Sequence, residues 1–139
     1  IKKPKILVSG INPHAGENGY IGKEEIKTIK PQLKKLKKNN CNVFGPNSGD
    51  TMLTKKNTDY FDCFVFMYHD QALIPFKYIS NFSGVNYTGN LDIIRVSPDH
   101  GTAYDLKGSK KISNKSILNC FSLMKKIYKN RKVNENKKS

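Results

Sequence analysis

Short apolar segments that end in polar loops constrain the fold of this chain more than any other feature. Residues 5–9 (KILVS) form one such segment and stop at Gly10, and residues 61–68 (FDCFVFMY) form a longer one. A short apolar run bounded by turn residues predicts a strand, and a nearly unbroken run predicts a strand buried on both faces. Three further short strands are predicted from the same kind of pattern, over residues 42–44, 85–88 and 92–96.

Helical periodicity separates these predicted strands. A helix is predicted over residues 23–38, with Pro31 placed to kink it, because four apolar side chains recur on one helix face: Ile26, Ile29, Leu33 and Leu36. Residues 71–79 predict a second helix, interrupted at Pro75. A last amphipathic helix is marked by Ile117, Phe121, Met124 and Tyr128. Strands that alternate with helices predict an α/β fold with a mixed, mostly parallel sheet flanked by helices.

The size of the chain predicts one domain, over residues 1–130, followed by a disordered basic tail over 131–139. The opening residues do not show a basic start that leads into an apolar stretch, so no signal peptide is predicted. No apolar run approaches the roughly 18 residues that a membrane span requires, so no membrane partner is expected. Three cysteines without C-x-x-C spacing favour the reducing cytoplasm.

The formal net charge of +14 comes from the two flanks of the sequence, because residues 39–106 carry four basic and seven acidic side chains. Only Arg95 and Arg131 among the 25 basic residues are arginines. Arginine is the usual bidentate reader of bases and phosphates, so a basic chain with so few arginines is not expected to bind nucleic acid.

All three histidines follow predicted strands. His14 comes after the first strand, His69 after residues 61–68, and His100 after residues 92–96. Ligands of open α/β sheets bind at the carboxyl ends of the strands. A single histidine would more simply be a surface or core imidazole, but three in such positions favour a functional site. Spacing alone does not identify a metal site, since no local ligand motif is present.

Four segments carry a family resemblance: VSGINPHAGENGYIGKEEI (8–26), GDT (49–51), MYHDQALIPFKY (67–78) and GVNYTGNLDIIRVSPDHGTAYDLKG (84–108). In these segments the chain resembles the C-terminal portion of the 4-hydroxythreonine-4-phosphate dehydrogenases of vitamin B6 (pyridoxine) biosynthesis. That family is similar to the isocitrate and isopropylmalate dehydrogenases, so the resemblance implies a partial fold of that type.

The resemblance implies roles for individual residues. It makes His14 and His69 ligands of a divalent metal (Zn, Mg or Co), and Lys77, Asn86 and Arg95 substrate contacts. It places the adenine end of NAD or NADP on a loop like the one formed by His100, Gly101, Thr102 and Ala103. Asp50 and Asp70 resemble catalytic residues that orient the imidazoles or relay a proton, although both could equally cap helix starts.

The implied reaction is the NAD(P)-dependent oxidation of 4-phosphooxy-threonine (4-hydroxythreonine 4-phosphate) to a 3-oxo acid. Loss of CO2 from that acid gives 3-amino-2-oxopropyl phosphate. The resemblance also implies an oxidoreductase that forms a homodimer with its site at the interface. Family chains are more than twice as long and carry a third metal-binding histidine in their first part, so this chain is expected to be an inactive fragment by itself. A sister dehydrogenase of 4-phospho-threonate or 4-phospho-erythronate is an alternative, and so is a non-catalytic basic module.

Overall fold

The structure, a computed structural model, describes residues 1–99, Gly108 and residues 113–135. The chain divides into two compact units, Ile1–Ile74 and Pro75–Ser139, where the sequence predicted one domain over residues 1–130. The expected α/β class is confirmed, since a parallel sheet and flanking helices are present. No helix in the described part of the chain is long and apolar enough to cross a membrane.

The first unit contains a parallel sheet of three strands: β1 (Ile6–Ser9), β2 (Val43–Asn47) and β3 (Cys63–Val65). Their order is β2-β1-β3, and Ile6 is in register with Val43 on one side and Cys63 on the other. Because all three strands are parallel, the loops that follow them emerge at one edge of the sheet.

The helix predicted over residues 23–38 is present in two parts. A π-helical turn covers Glu25–Ile29 and leads into α1 (Lys30–Lys38), so Pro31 lies in the first turn of α1, where its missing N–H is tolerated. Leu33 packs with Val8 and Val43 into the core of the unit. A short helix, α2 (Lys55–Tyr60), then leads to β3.

The strand predicted over residues 61–68 is much shorter than expected and is not buried on both faces. β3 has only three residues, and both Cys63 and Val65 are exposed. Two polar contacts limit it: the Asp62 carboxylate accepts a hydrogen bond from the Lys5 backbone before the strand, and the Met67 backbone N–H donates to the Gln71 side chain after it. A backbone donor that is bonded to a side chain does not extend the strand ladder.

A longer helix than predicted follows β3. α3 (His69–Ser80) begins two residues before the predicted start and continues through Pro75 without interruption. In its second half the Phe76 ring approaches Gly84 so closely that a Cβ atom at this position would clash with the ring. The helix passes the division between the two units at Ile74.

The second unit contains an antiparallel pair of strands, β4 (Val85–Thr88) and β5 (Arg95–Pro98), and the helix α4 (Lys115–Glu135). β4 coincides with the prediction, whereas β5 begins three residues later than predicted. The Arg131 guanidinium explains this shift, because it donates to the carbonyl oxygens of Leu91 and Asp92 at 2.8 and 2.7 Å.

Helix α4 differs from the prediction in two ways. Three members of the predicted apolar stripe, Ile117, Phe121 and Tyr128, are exposed, and the buried positions are instead Ser116 and Cys120. The helix also continues through Glu135, into the segment predicted to be a disordered tail from residue 131. The two hydrogen bonds donated by the Arg131 side chain anchor this last part of the helix.

Candidate functional site at the carboxyl edge of the sheet

Three loops meet at the carboxyl edge of the first unit's sheet, and each carries a predicted site residue. His14 follows β1, Asp50 follows β2, and His69 with Asp70 follows β3. The sequence predicted strand-end positions for both histidines, and the parallel order of the strands gives them a common edge.

The loop that carries His14 has an unusual backbone. Five consecutive residues, His14 to Asn18, have positive φ angles of 50°, 51°, 79°, 42° and 55° and form a left-handed turn. Only Gly16 among them adopts this conformation without a steric cost. The His14 side chain is exposed.

A buried carboxylate holds the start of this loop. Glu25 is fully buried, and its Oε1 atom accepts hydrogen bonds from the backbone N–H groups of Ile11 and Asn12, both at 2.8 Å. Its Oε2 atom accepts a third from the Asn12 amide at 3.0 Å. Burial raises the pKa of Glu25, but the hydrogen bonds from Asn12 and Ile11 outweigh burial, so this pKa lies below its ordinary value of 4.5.

The loop after β2 presents Asp50, whose carboxylate accepts a 2.5 Å hydrogen bond from the Ser48 hydroxyl. This bond is the main reason that the pKa of Asp50 lies below its ordinary value of 3.8. Desolvation opposes the lowering of this pKa, whereas backbone N–H groups and the electrostatic interaction with His14 add to it. Asp50 is therefore an exposed, ionised group within electrostatic reach of His14.

The loop after β3 presents His69 and Asp70 at the first turn of α3. The Nδ1 atom of His69 lies 2.9 Å from Oδ1 of Asp70, and both side chains are largely exposed. This pairing engages Nδ1 of the imidazole, so Nε2 is the nitrogen that can face a ligand. Metal-binding histidines commonly use their second nitrogen in this way toward a carboxylate.

The side chain of Gln71 connects all three loops. Its Nε2 donates to the carbonyl oxygen of Gly10 at 3.0 Å, and its Oε1 accepts from the Met67 N–H at 2.9 Å. The loop after β2 comes so close that a Cβ atom on Gly49 would lie 2.6 Å from Nε2. Gln71 therefore fixes the spacing of the loops that carry the predicted metal ligands.

The side chains at this edge are of types that bind divalent transition metals. Two imidazoles and a carboxylate of lowered pKa come from neighbouring loops, and nitrogen and carboxylate ligands suit zinc and similar ions. No group of three or more His, Cys, Asp or Glu side chains that could enclose an ion is present among the described residues. The edge thus carries side chains of metal-binding type but no complete ligand set among the described residues.

The predicted substrate contacts lie in the second unit. Asn86 faces Ser97 across the strand pair and Thr88 faces Arg95, so Asn86 and Arg95 project from the same face of β4 and β5. The Arg95 guanidinium donates to the Thr88 hydroxyl at 2.7 Å, and both Asn86 and Arg95 are exposed. The face can therefore offer an amide and a guanidinium to one anionic ligand.

Lys77, the third predicted substrate contact, lies in the last part of α3. Its ammonium group is 4.0 Å from Oδ1 of Asp99, and the Lys77 side chain is about one-third exposed. Asp99 is more deeply buried, and among the described residues its Oδ2 atom has no hydrogen-bond partner. The ammonium group of Lys77 is therefore paired with the carboxylate of Asp99.

The predicted nucleotide loop, His100, Gly101, Thr102 and Ala103, lies outside the described residues. A cavity of about 570 Å³ is present in the second unit, between the loop before β5 and α4. Its lining includes Ile93, Ile94, Met124 and Tyr128 and none of the predicted site residues.

Comparison with known proteins identifies the family. Residues 1–124 match the family described as "Pyridoxal phosphate biosynthetic protein PdxA". The chain belongs to the PdxA family. A relative from Bradyrhizobium diazoefficiens, named 4-hydroxythreonine-4-phosphate dehydrogenase, is 45% identical over 127 residues, which cover 91% of this chain and 37% of the relative. One from Pseudomonas aeruginosa with the same name is 47% identical over 117 residues, covering 84% of this chain and 36% of the relative.

A solved structure agrees with this assignment. The 4-hydroxythreonine-4-phosphate dehydrogenase of Klebsiella pneumoniae matches 89% of this chain with a TM-score of 0.76 and 40% sequence identity. The match covers 38% of the Klebsiella chain, so the present chain spans little more than a third of the length of its PdxA relatives. The predicted resemblance to this family is confirmed, while the likeness to isocitrate and isopropylmalate dehydrogenases stays a prediction.

Two residues of the site were missed in the sequence, Glu25 and Gln71. A signal for Glu25 is present, because it lies four residues before Ile29 and eight before Leu33 and so shares their apolar helix face. Gln71 follows His69 and Asp70 directly, but nothing in the sequence shows that its side chain turns back to the loop after β1.

Proposed function

We propose that this chain forms part of an NAD(P)-dependent 4-hydroxythreonine-4-phosphate dehydrogenase, an oxidoreductase of vitamin B6 biosynthesis. The observation that supports this most is the pairing of PdxA family membership with His14 and His69 at one edge of the sheet. The reaction would oxidise the C3 hydroxyl of the substrate, pass a hydride to the nicotinamide and release CO2 from the resulting 3-oxo acid.

His14 and His69 are the proposed ligands of a divalent metal, completed by groups outside this chain's described residues. When bound, such an ion polarises the substrate hydroxyl and stabilises the negative charge left by decarboxylation. Asp70 holds the His69 ring through Nδ1, as in the 2.9 Å pairing observed. Asp50, ionised near His14, is the proposed acceptor of the proton that leaves the hydroxyl.

Arg95, Asn86 and Lys77 are the proposed contacts for the phosphate and carboxylate of the substrate. Arg95 uses one N–H donor for Thr88 and retains further donors for an anion. Asn86 projects from the same face and can orient a bound oxygen. The loop of His100, Gly101, Thr102 and Ala103 is proposed to hold the adenine end of NAD or NADP.

A homodimer in the cytoplasm is proposed as the working form. Large apolar side chains of the second unit are exposed, Tyr78 to 89% and Ile79 to 67%, and exposed apolar surface of this kind favours association. Cys41, Cys63 and Cys120 are all free thiols, which suits a reducing compartment. No nucleic-acid or membrane partner is proposed.

The test is a family-length enzyme in which residues 1–124 replace the matching segment of the Pseudomonas aeruginosa relative. With zinc, 4-hydroxythreonine 4-phosphate and NAD or NADP, we expect absorbance of the reduced nucleotide to rise. Arg95→Ala should raise KM by about tenfold to a hundredfold, the worth of a charge-assisted hydrogen bond. Lys56→Ala, which removes an exposed charge on α2, is the matched control and should leave KM unchanged.

A folded chimera without turnover would contradict the proposed function. Turnover with an unchanged KM and kcat in Arg95→Ala would keep the function and remove Arg95 from the substrate site.

A further inference from the structure

The buried carboxylate of Glu25 has no role in the chemistry described above, yet it is bonded entirely to the loop that presents His14. Its three hydrogen bonds reach Ile11 and Asn12, which are separated from the left-handed turn only by Pro13. Burying a carboxylate costs free energy unless hydrogen bonds compensate for the lost water. The three bonds to Ile11 and Asn12 supply that compensation for the fully buried Glu25.

The chain closes tightly around this carboxylate. A Cβ atom on Gly10 would lie 2.9 Å from Oε1, and one on Gly16 would lie 2.5 Å from Oε2. Gly16 also has a φ of +79°, so both the space and the backbone conformation require glycine. Residues before and after His14 are therefore packed against Glu25.

The left-handed turn needs such a restraint. His14, Ala15, Glu17 and Asn18 are not glycines, and each costs about 1–2 kcal/mol in this conformation relative to a right-handed one. Strained backbone of this kind persists only where the surrounding structure holds it. The buried Glu25 side chain provides such a restraint. It bonds the loop at Ile11 and Asn12, and it packs against the loop at Gly16.

We propose that Glu25 is a positioning residue that holds the strained turn and thereby sets the direction of the His14 imidazole toward the metal. This inference rests on the proposed function in its use of His14 as a ligand. Glu25 itself does not touch the metal or the substrate, and it acts through the backbone of residues 11–16.

The experiment compares Glu25→Ala, Glu25→Gln and Glu24→Gln in the 139-residue chain labelled with 15N and 13C. Glu25→Gln keeps an oxygen that can accept from both backbone N–H groups, so it is the conservative variant. Glu24→Gln is the matched control, because Glu24 is exposed and its carboxylate accepts a hydrogen bond from the Asn12 side chain at 2.6 Å. NMR gives amide hydrogen exchange at Ile11 and Asn12, Cα and Cβ shifts at His14, and the affinity for Zn²⁺ from titration of the His14 and His69 rings.

We expect Glu25→Ala to speed exchange at Ile11 and Asn12, to move the His14 shifts away from left-handed values and to weaken Zn²⁺ binding by at least about tenfold, the worth of one charge-assisted hydrogen bond. Glu25→Gln should recover most of the affinity and the His14 shifts, and Glu24→Gln should change neither. The Gln rescue separates positioning from general loss of structure, because both alanine and glutamine remove the buried charge.

Native His14 shifts and Zn²⁺ affinity in Glu25→Ala would overturn the proposal. If the unaltered chain fails to bind Zn²⁺ at His14, the proposed metal role of His14 fails instead. The His14 shifts and the exchange rates then still decide whether Glu25 holds the turn.

Discussion

Gln71→Glu tests the link between the three loops at the carboxyl edge. The substitution keeps the size and shape of the side chain and keeps an oxygen that accepts from the Met67 N–H. It replaces the N–H donor that faces Gly10, so that an oxygen would stand about 3.0 Å from a carbonyl oxygen. The loops after β1 and β3 would lose the hydrogen bond between residue 71 and Gly10, and the two oxygen atoms would repel each other.

The expected cost follows from these two effects. A part-buried hydrogen bond contributes about 0.5–1.5 kcal/mol, and an acceptor left without a donor costs about 1–3 kcal/mol. We therefore expect the free energy of unfolding to fall by about 1–3 kcal/mol. With a urea dependence of about 1–3 kcal/mol per M for a small protein, the midpoint should fall by about 1 M.

The assay is urea unfolding followed by circular dichroism at neutral and acidic pH. Below about pH 4 the introduced carboxyl becomes protonated and can donate to Gly10, so the deficit should shrink. Gln32→Glu is the control, since Gln32 is exposed on α1 and should change the midpoint little. A Gln71→Glu protein as stable as the unaltered chain at neutral pH would refute the reasoning.

Three further outcomes are expected. Because folding lowers the pKa of Glu25, its ionised carboxylate stabilises the fold fully above about pH 4.5, and this stabilisation is lost as the pH falls through the lowered pKa. Between about pH 5 and pH 3, the urea midpoint should therefore fall more steeply for the unaltered chain than for Glu25→Gln. Met52→Ala should lower the free energy of unfolding by about 2–5 kcal/mol in the same assay, because the Met52 side chain is fully buried, and a loss below about 1 kcal/mol would contradict that burial. Arg131→Ala removes the bonds to Leu91 and Asp92, so amide hydrogen exchange in the last turns of α4 should accelerate while exchange in β1 stays unchanged.

The parts of the fold that sequence predicts best are those decided locally. β1 and β4 form where apolar runs meet turn residues, and Leu33 is buried where the helix periodicity places it. The apolar run over residues 61–68 predicted too long a strand. At its two ends, backbone N–H groups bond side chains instead of a neighbouring strand: the Lys5 N–H donates to Asp62, and the Met67 N–H donates to Gln71. Such competition depends on tertiary geometry, which hydrophobic pattern does not encode.

The candidate site divides in the same way. Strand-end position was enough to place His14 and His69 at one edge, since parallel strands bring their following loops together, whereas Asp50 was indicated only by the family resemblance. Glu25 lies 14 residues along the chain from Ile11, and Gln71 lies 61 residues from Gly10, so only the folded structure shows these two pairings.

One measurement tests the central claim that His14 and His69 bind a single divalent ion. It is a zinc titration by calorimetry of the family-length chimera, repeated with His14→Ala, His69→Ala and His100→Ala. We predict that one zinc ion binds per chain. His14→Ala and His69→Ala should each weaken zinc binding by more than the roughly 10–100-fold lost when a residue that only hydrogen-bonds a metal ligand is removed. His100→Ala should leave the affinity unchanged, because His100 is assigned to the nucleotide loop. Unchanged zinc affinity in either His14→Ala or His69→Ala would contradict the account.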